Sequence, residues 1–391
     1  MEGRYIATAL LSSLSSATLG PYLSLWLKGI GLGLSEIGLV QSVSEVAQLL
    51  TDFPTGGMAN RYGRVKTYAA GSSVFGLGLI VIALAKRMPA VLMGATLAGF
   101  GAALISGTMI PWLYDAIRDR TAVKSVLGKV KALSGPVRFA GGFIGGYLAT
   151  LAPNLSVLIA GTLSIASALM ALILLPDNYW DRKANYFEVL KKGLKEIRTN
   201  RALHLLLASL LLLGFTARAF FTFQMLLLAG RGFPAEYLSA LFALLVLSTS
   251  AGALIARNLG PAPRTAALLT ALLGAEMVLL GFTENLMINL AMLFAVEVTL
   301  GARFPVMAVL RNDFIPGEVR STVNSAMSTT GSGFTAIANV AVGALAEKLG
   351  LGSAYVMAGS LGVLAALPLW GLTFLSAPAE GGNITEKPDG G

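Results

Sequence analysis

About twelve apolar runs divide this chain, each long enough to cross a bilayer, and they leave it few ways to fold. They lie at about 5–27, 36–58, 66–85, 90–116, 132–152, 155–175, 203–229, 236–256, 265–282, 286–310, 322–346 and 353–375. Turn residues separate them, among them Lys28–Gly33, Lys86–Pro89, Pro153–Asn154, Arg231–Pro234, Gly260–Pro263 and Ile315–Glu318. Inside lipid each backbone amide needs a partner within its own segment, so runs of this length become helices. Charged residues are 13% of the 391, about half the share of a soluble domain. The expectation is an all-α membrane protein with twelve transmembrane helices.

Missing residue types narrow the chemistry. The chain has no cysteine, which excludes disulfides, thiolate catalysis and cysteine-held clusters. Its single histidine, His204, cannot build a histidine metal site and is read as structural. There is no phosphate-binding loop, paired-histidine zinc motif or nucleophile elbow, so neither catalysis nor a cofactor is expected. The net charge of +9 would suggest nucleic acid in a soluble protein; here it is loop lysine and arginine facing the cytosol. The N-terminus, MEGRYIATALLSSL, continues into some twenty further apolar or small residues and reads as a first span, not a cleaved signal.

The basic residues sort by side. With the N-terminus inside, 21 of the 29 fall in inner segments, five outside (Lys28, Lys86, Arg87, Arg231, Lys348) and three within spans (Arg138, Arg218, Arg303). The positive-inside rule then puts both termini in the cytoplasm. Residues 1–176 and 203–377 hold six spans each. The polar segment 177–202, with KKGLKEIRTNR, reads as a cytoplasmic loop carrying an amphipathic helix. The tail 378–391 is polar and glycine-rich, and is expected to be disordered.

The halves echo each other at an offset of about 194–197 residues. Gly107–Pro111 (GTMIP) answers Gly301–Pro305 (GARFP), Gly146–Ala149 answers Gly343–Ala346, and Gly56–Gly63 answers Gly252–Gly260. Three matches in order argue for a duplicated six-helix unit. Parallel repeats of this kind enclose a central cavity near mid-membrane.

Between the second and third runs lies DFPTGGMANRYGRVK, residues 52–66. Its Gly56, Asn60-Arg61, Gly63-Arg64 and Lys66 resemble the loop signature of the major facilitator superfamily, a resemblance that extends over essentially the whole chain. It implies two six-helix bundles that rock to alternate access, with Asp52, Gly56, Asn60, Arg61, Gly63 and Arg64 as a cytoplasmic gating loop. The family usually has aspartate where Asn60 stands. Asn60 still accepts a bond from a helix N-terminus but adds no charge–dipole attraction, worth about 0.3–1 kcal/mol. The latch is therefore expected to be weaker, or carried partly by Asp52 or Asp119. Two exporter signatures are present in part: Gly99, Gly101, Ala102 and Ala103, with Ala95 and Ala98 replacing the pattern's arginine and glutamine, and Gly135-Pro136 with Gly141-Gly142. WLYD, ending at Asp115, is similar to drug-exporter-like members.

Ionisable residues inside spans are costly and are functional candidates by default. Gln41, Glu45, Gln48 and Asp52 share an arc of about 60° on the second span, with Glu45 about 14 Å deep. Glu45 is either a proton or cation site or a structural carboxylate. Asp115 on the fourth span and Arg138 on the fifth lie near the same interface. They form either a structural ion pair or a coupling pair. Glu297, on a span that lines the cavity in the resembled family, is functional or structural; Arg303 points elsewhere. Arg218 either binds substrate with Phe220, Phe221 and Phe223 or snorkels to the outer interface. Glu276 is expected in packing. The first-span serines Ser12, Ser13, Ser15 and Ser16 line the cavity or pack helices.

The expected function is secondary-active transport: proton-coupled export of small amphipathic or cationic molecules by a monomer in the cell membrane, with the lipid bilayer and a coupling ion as partners and no nucleic acid. Uptake or exchange of a sugar or organic anion, and a non-coupled sensor or lipid-handling protein, are the alternatives.

Overall fold

The computed structural model of the chain describes residues 1–20, 22–106, 108–117, 120–177, 195–234, 237–260, 262–315 and 320–375. Within those helices the side chains of residues 53–61, 114–115, 120–122, 124–125, 128, 239, 257, 312, 320–322, 324–326 and 328 lie outside the description. Asp119, most of the 177–202 loop and the 378–391 tail also lie outside it.

The described residues build the twelve spans as helices. The first span is two helices, Glu2–Leu19 and Tyr22–Gly29, separated at Gly20. The second is Leu34–Tyr62 and the third Arg64–Leu84. The fourth breaks into Met88–Ile105 and Met109–Ala116. The fifth and sixth are Arg120–Leu151 and Leu155–Leu174. The seventh to eleventh are Arg201–Gly230, Leu238–Ile255, Pro263–Phe282, Leu286–Asp313 and Arg320–Leu349. Leu351–Leu364 and Ala366–Gly371 make the twelfth.

Seven of the helical segments are long and apolar enough to cross a membrane on those grounds alone. The first, second, fifth, eighth and eleventh spans are not among them. Four of these five meet across the halves, the second packing along the eleventh and the fifth along the eighth.

The duplication is visible in the packing. Spans 1–5, 1–6, 2–4, 3–4, 3–6 and 5–6 touch in one half, and spans 7–11, 7–12, 8–10, 9–10, 9–12 and 11–12 touch in the other. The contacts across the halves, 2–11 and 5–8, exchange under the same operation. Glycines show it most sharply. Gly76 and Gly161 oppose each other's carbonyls where the third and sixth spans cross. Gly274 and Gly359, each 198 residues later, do the same where the ninth and twelfth cross. Beside them the Ala160 carbonyl accepts the Ser15 hydroxyl at 2.8 Å, and the Ala358 carbonyl, again 198 residues on, accepts Thr216 at 2.7 Å. Lipid tails are as apolar as leucine, so bundles in lipid are held by such close approach and by interhelical hydrogen bonds. The GTMIP–GARFP echo is less faithful in three dimensions. The fourth span breaks there, whereas the tenth runs unbroken through Pro305.

The two ends of the molecule differ. One end carries Tyr62, Asp177, Arg201 and Phe314 and is called the basic end; the other is the far end. Toward the far end a single apolar core runs through both halves, joining Leu27, Ile37 and Leu79 to Phe223, Leu293 and Val342. At the basic end it splits in two. Tyr5, Val65, Tyr68, Trp112 and Leu175 form a core within the first half, and Leu203, Leu206, Leu310, Phe314 and Leu369 form one within the second. Among the described residues, the buried apolar cores of the two halves merge at the far end and are separate at the basic end.

The 52–66 segment is tighter than a loop. Helix continues to Tyr62, Gly63 alone makes the turn at φ +104°, and the next helix starts at Arg64. Only glycine holds that angle without strain. The Asp177 carboxylate sits where a Gly63 side chain would be and accepts from the Val65 amide at 3.0 Å, so it caps the third span. The chain before it is pinned by Trp112, whose Nε1 donates to the Pro176 carbonyl at 2.8 Å.

The glycine crossings generate a prediction. Gly161→Val and Gly359→Val each drive a side chain into facing backbone and should cost about 1–3 kcal/mol, the scale of overpacking. Gly3→Ala, facing open space, should not. Thermal melting of the purified variants checks this; a Gly359→Val protein that melts with the parent contradicts the packing described.

Candidate functional site

Glu45 and Arg218 meet across the halves. Arg218 Nη1 on the seventh span donates to Glu45 Oε1 on the second at 3.4 Å. Both side chains are about three-quarters shielded, at 27% and 25% exposure. Arg218 therefore does not snorkel to the outer interface: its guanidinium turns into the seam, where a buried carboxylate stabilises it better than distant headgroups. Its Nε has no hydrogen-bond partner among the described residues. Asp52, two turns further along the stripe, lies within electrostatic reach of Glu45. Gln41, one turn before Glu45, lines a cavity of about 120 Å³ between the first four spans.

Glu297 forms a second centre. It is 7% exposed. Thr249 on the eighth span donates its hydroxyl to Glu297 Oε2 at 2.6 Å. Arg138, on the fifth span of the other half, acts on Glu297 electrostatically. The Asp115 side chain expected beside Arg138 lies outside the described residues, as do those of Gly56, Asn60 and Arg61. Arg64, beside the capped turn, is 9% exposed.

The other intramembrane charges belong to packing. Glu276 accepts from Thr299 at 2.9 Å, and Arg303 Nε donates to Thr270 at 2.8 Å, both between the ninth and tenth spans. Arg303 thus faces away from Glu297, as expected. The first-span serines divide. Ser15 ties its helix to the sixth span, whereas Ser12 lines a cavity of about 270 Å³ with Thr8, Tyr68, Ile105, Thr108 and Met109, at the break in the fourth span. That cavity lies within one half, away from both acid centres.

Three site residues escape a reading of the sequence. Thr249, Asp177 and Glu347 each serve a group far away in the chain: the Glu297 carboxylate, the third helix's amides and the second helix's amides. No local spacing signals them. The arrangement is two shielded acids: Glu45 paired with Arg218 of the opposite half, and Glu297 bonded to Thr249 and felt at longer range by the exposed Arg138 of the opposite half. No cluster of potential metal ligands occurs among the described residues.

Breaking a buried pair from one side leaves an uncompensated charge. Glu45→Gln and Arg218→Gln should each lower the melting temperature, and the double variant should recover part of the loss, with a coupling energy of about 0.5–3 kcal/mol. A double-mutant cycle by thermal unfolding checks this, and strict additivity contradicts the pairing.

Comparison with known proteins follows from this geometry. The family profile described as Major Facilitator Superfamily matches residues 5–334. The quinolone resistance protein NorA of Staphylococcus aureus is 22% identical over 157 residues, 40% of this chain and 40% of that protein. The chain thus spans about 40% of the length of the curated relatives it matches. Among solved structures, the nucleoside transporter NupG superposes with a TM-score of 0.78 at 13% identity, covering 96% of this chain and 99% of that one. A bacterial homolog of the human lysosomal transporter Spinster, inward-facing and unoccupied, superposes at 0.71 with 14% identity, covering 94% of each chain. At these identities the structures establish the fold alone.

Proposed function

Because the chain belongs to the major facilitator superfamily, and is therefore a multi-pass membrane transporter, we propose that it is a proton-coupled exporter of small amphipathic or cationic molecules. The observation that carries this reading is the Glu45–Arg218 pair, which spans the two halves and is broken by any cation that takes the carboxylate. The halves, 1–176 and 203–377, rock as bodies about the 177–202 connection. The positive-inside rule puts the basic end in the cytosol. Both termini are cytoplasmic, and the protein works as a monomer in the cell membrane.

The cycle follows from competition for one carboxylate. In the inward-open state a cationic substrate displaces Arg218 from Glu45 and draws the halves into a new arrangement. In the outward-open state a proton takes the carboxyl, and the substrate leaves. Glu297, with Thr249 and Arg138, offers a second exchange point of the same kind. An anionic substrate is less well served at Arg218, which already faces Glu45. The resistance named for the S. aureus relative supports outward transport.

The test is flux of a fluorescent aromatic cation into proteoliposomes under an imposed pH gradient. The parent should accumulate it, and Glu45→Gln should fall to the level of empty liposomes and bind the cation more weakly. Gradient-driven flux that survives both Glu45→Gln and Glu297→Gln would remove the coupling assignment. Binding without any flux in the parent would favour a sensor on the same scaffold.

A further inference from the structure

The far end of the seam between the second and eleventh spans is closed by a carboxylate that no motif marks. The second helix begins at Leu34 with Gly33 as its cap residue. The first amides of a helix have no acceptor within it and carry its positive dipole end. Within its own half, Glu36 accepts only from the Gly33 amide, at 2.8 Å. The Leu34 and Ser35 amides donate instead to Glu347 Oε2, near the end of the eleventh helix in the other half. Both Glu347 oxygens lie over Gly33, where a side chain would collide with them at 3.0 and 3.2 Å. Below this contact the two helices approach backbone to backbone, Gly38 against the Asn339 carbonyl and Gly343 against that of Leu34, and the Ser42 hydroxyl donates to the Ala336 carbonyl.

The equivalent crossing on the other side of the molecule is built differently. There Gly142 and Gly20 receive the Phe242 ring, and the Tyr22 hydroxyl donates to the Gly142 carbonyl at 3.0 Å. The internal repeat puts Thr150 or Leu151 at the place of Glu347, so that side has no carboxylate. One crossing is closed mainly by a ring in a glycine notch, and the other by a charge on a helix end.

We propose that Glu347 is a positioning residue of the transport cycle: it bolts the second helix to the eleventh at the far end, and its release from the Leu34 and Ser35 amides accompanies opening on that side. This rests on the alternating-access reading. The bolt is weak enough to be cycled, because it is exposed to water and made by two amides rather than by a buried ion pair. It holds the far end shut without touching either acid centre.

The test uses the full-length protein in lipid nanodiscs. The chain has no cysteine of its own, so spin labels placed at Lys86→Cys and Glu284→Cys report the far-end separation by pulsed electron resonance. Glu347→Ala should raise the population of the wider separation about five-fold, the scale of a lost helix cap. Glu347→Gln, which keeps an acceptor but no charge, should fall between. Glu36→Ala, which removes a carboxylate from the same helix start without touching the other half, should leave the distribution as in the parent. Melting temperatures confirm that each variant is folded, and the near-isosteric Glu347→Gln carries the test if Glu347→Ala does not fold. Distributions unchanged in both Glu347 variants, or shifted as much by Glu36→Ala, overturn the bolt while leaving alternation intact. A parent that shows one separation with and without the aromatic cation and at every pH gradient overturns alternation as well.

Discussion

Lipid decides where this chain can keep its charges. An ionised side chain facing hydrocarbon is expensive, so each one must find either another helix or a wet seam. The intramembrane charges with described side chains obey this in two ways. Glu276 and Arg303 are tied by threonines between neighbouring helices of one half and hold that half together. Glu45, Arg218, Glu297 and Arg138 are set at the join between the halves, where opposite charges face across it. The first arrangement is indifferent to motion between the halves. The second is changed by it, which is why the proposed coupling is placed there.

The scaffold that carries these charges is held by close backbone contact rather than by apolar burial, since lipid offers no less apolar a surface than another helix. Hence the glycine crossings repeat 198 residues apart, with hydroxyl-to-carbonyl bonds beside them. Rigid halves and a breakable join are two results of one rule. Contacts within a half are made of backbone that cannot shift without collision. The join has one such backbone approach, at Gly38 and Gly343, and beside it side-chain contacts: an ion pair, a phenylalanine in a glycine notch, a carboxylate on a helix end.

Much of this was legible from residue order. The spans, the duplication and the special character of residues 52–66 all come from patterns that repeat locally or at one offset. Glu45 and Glu297 stood out because a carboxylate within an apolar run must find a partner or water. What could not be read was partnership. Arg218 has the same sequence whether it reaches lipid headgroups or Glu45, and only the crossing of the second and seventh spans, 173 residues apart, decides it. Asp177 and Glu347 look like ordinary loop and helix-end acids, yet each accepts from a helix-start amide 112 or 313 residues earlier in the chain. Helix amides donate to any carboxylate that folding brings to them, so no spacing rule announces the acceptor. The turn at Gly63 also proved shorter than its composition suggested, because the glycines before it are spent inside a helix.

The central claim is that a proton and the transported cation compete for the carboxylate that Arg218 otherwise holds. Proton release during ligand binding, followed with a pH indicator in weakly buffered purified protein, tests this most directly. The account expects the aromatic cation to displace a proton from the parent near the acid limb of its binding curve, and to displace none from Glu45→Gln. Tight binding to the parent with no proton released at any pH would contradict it.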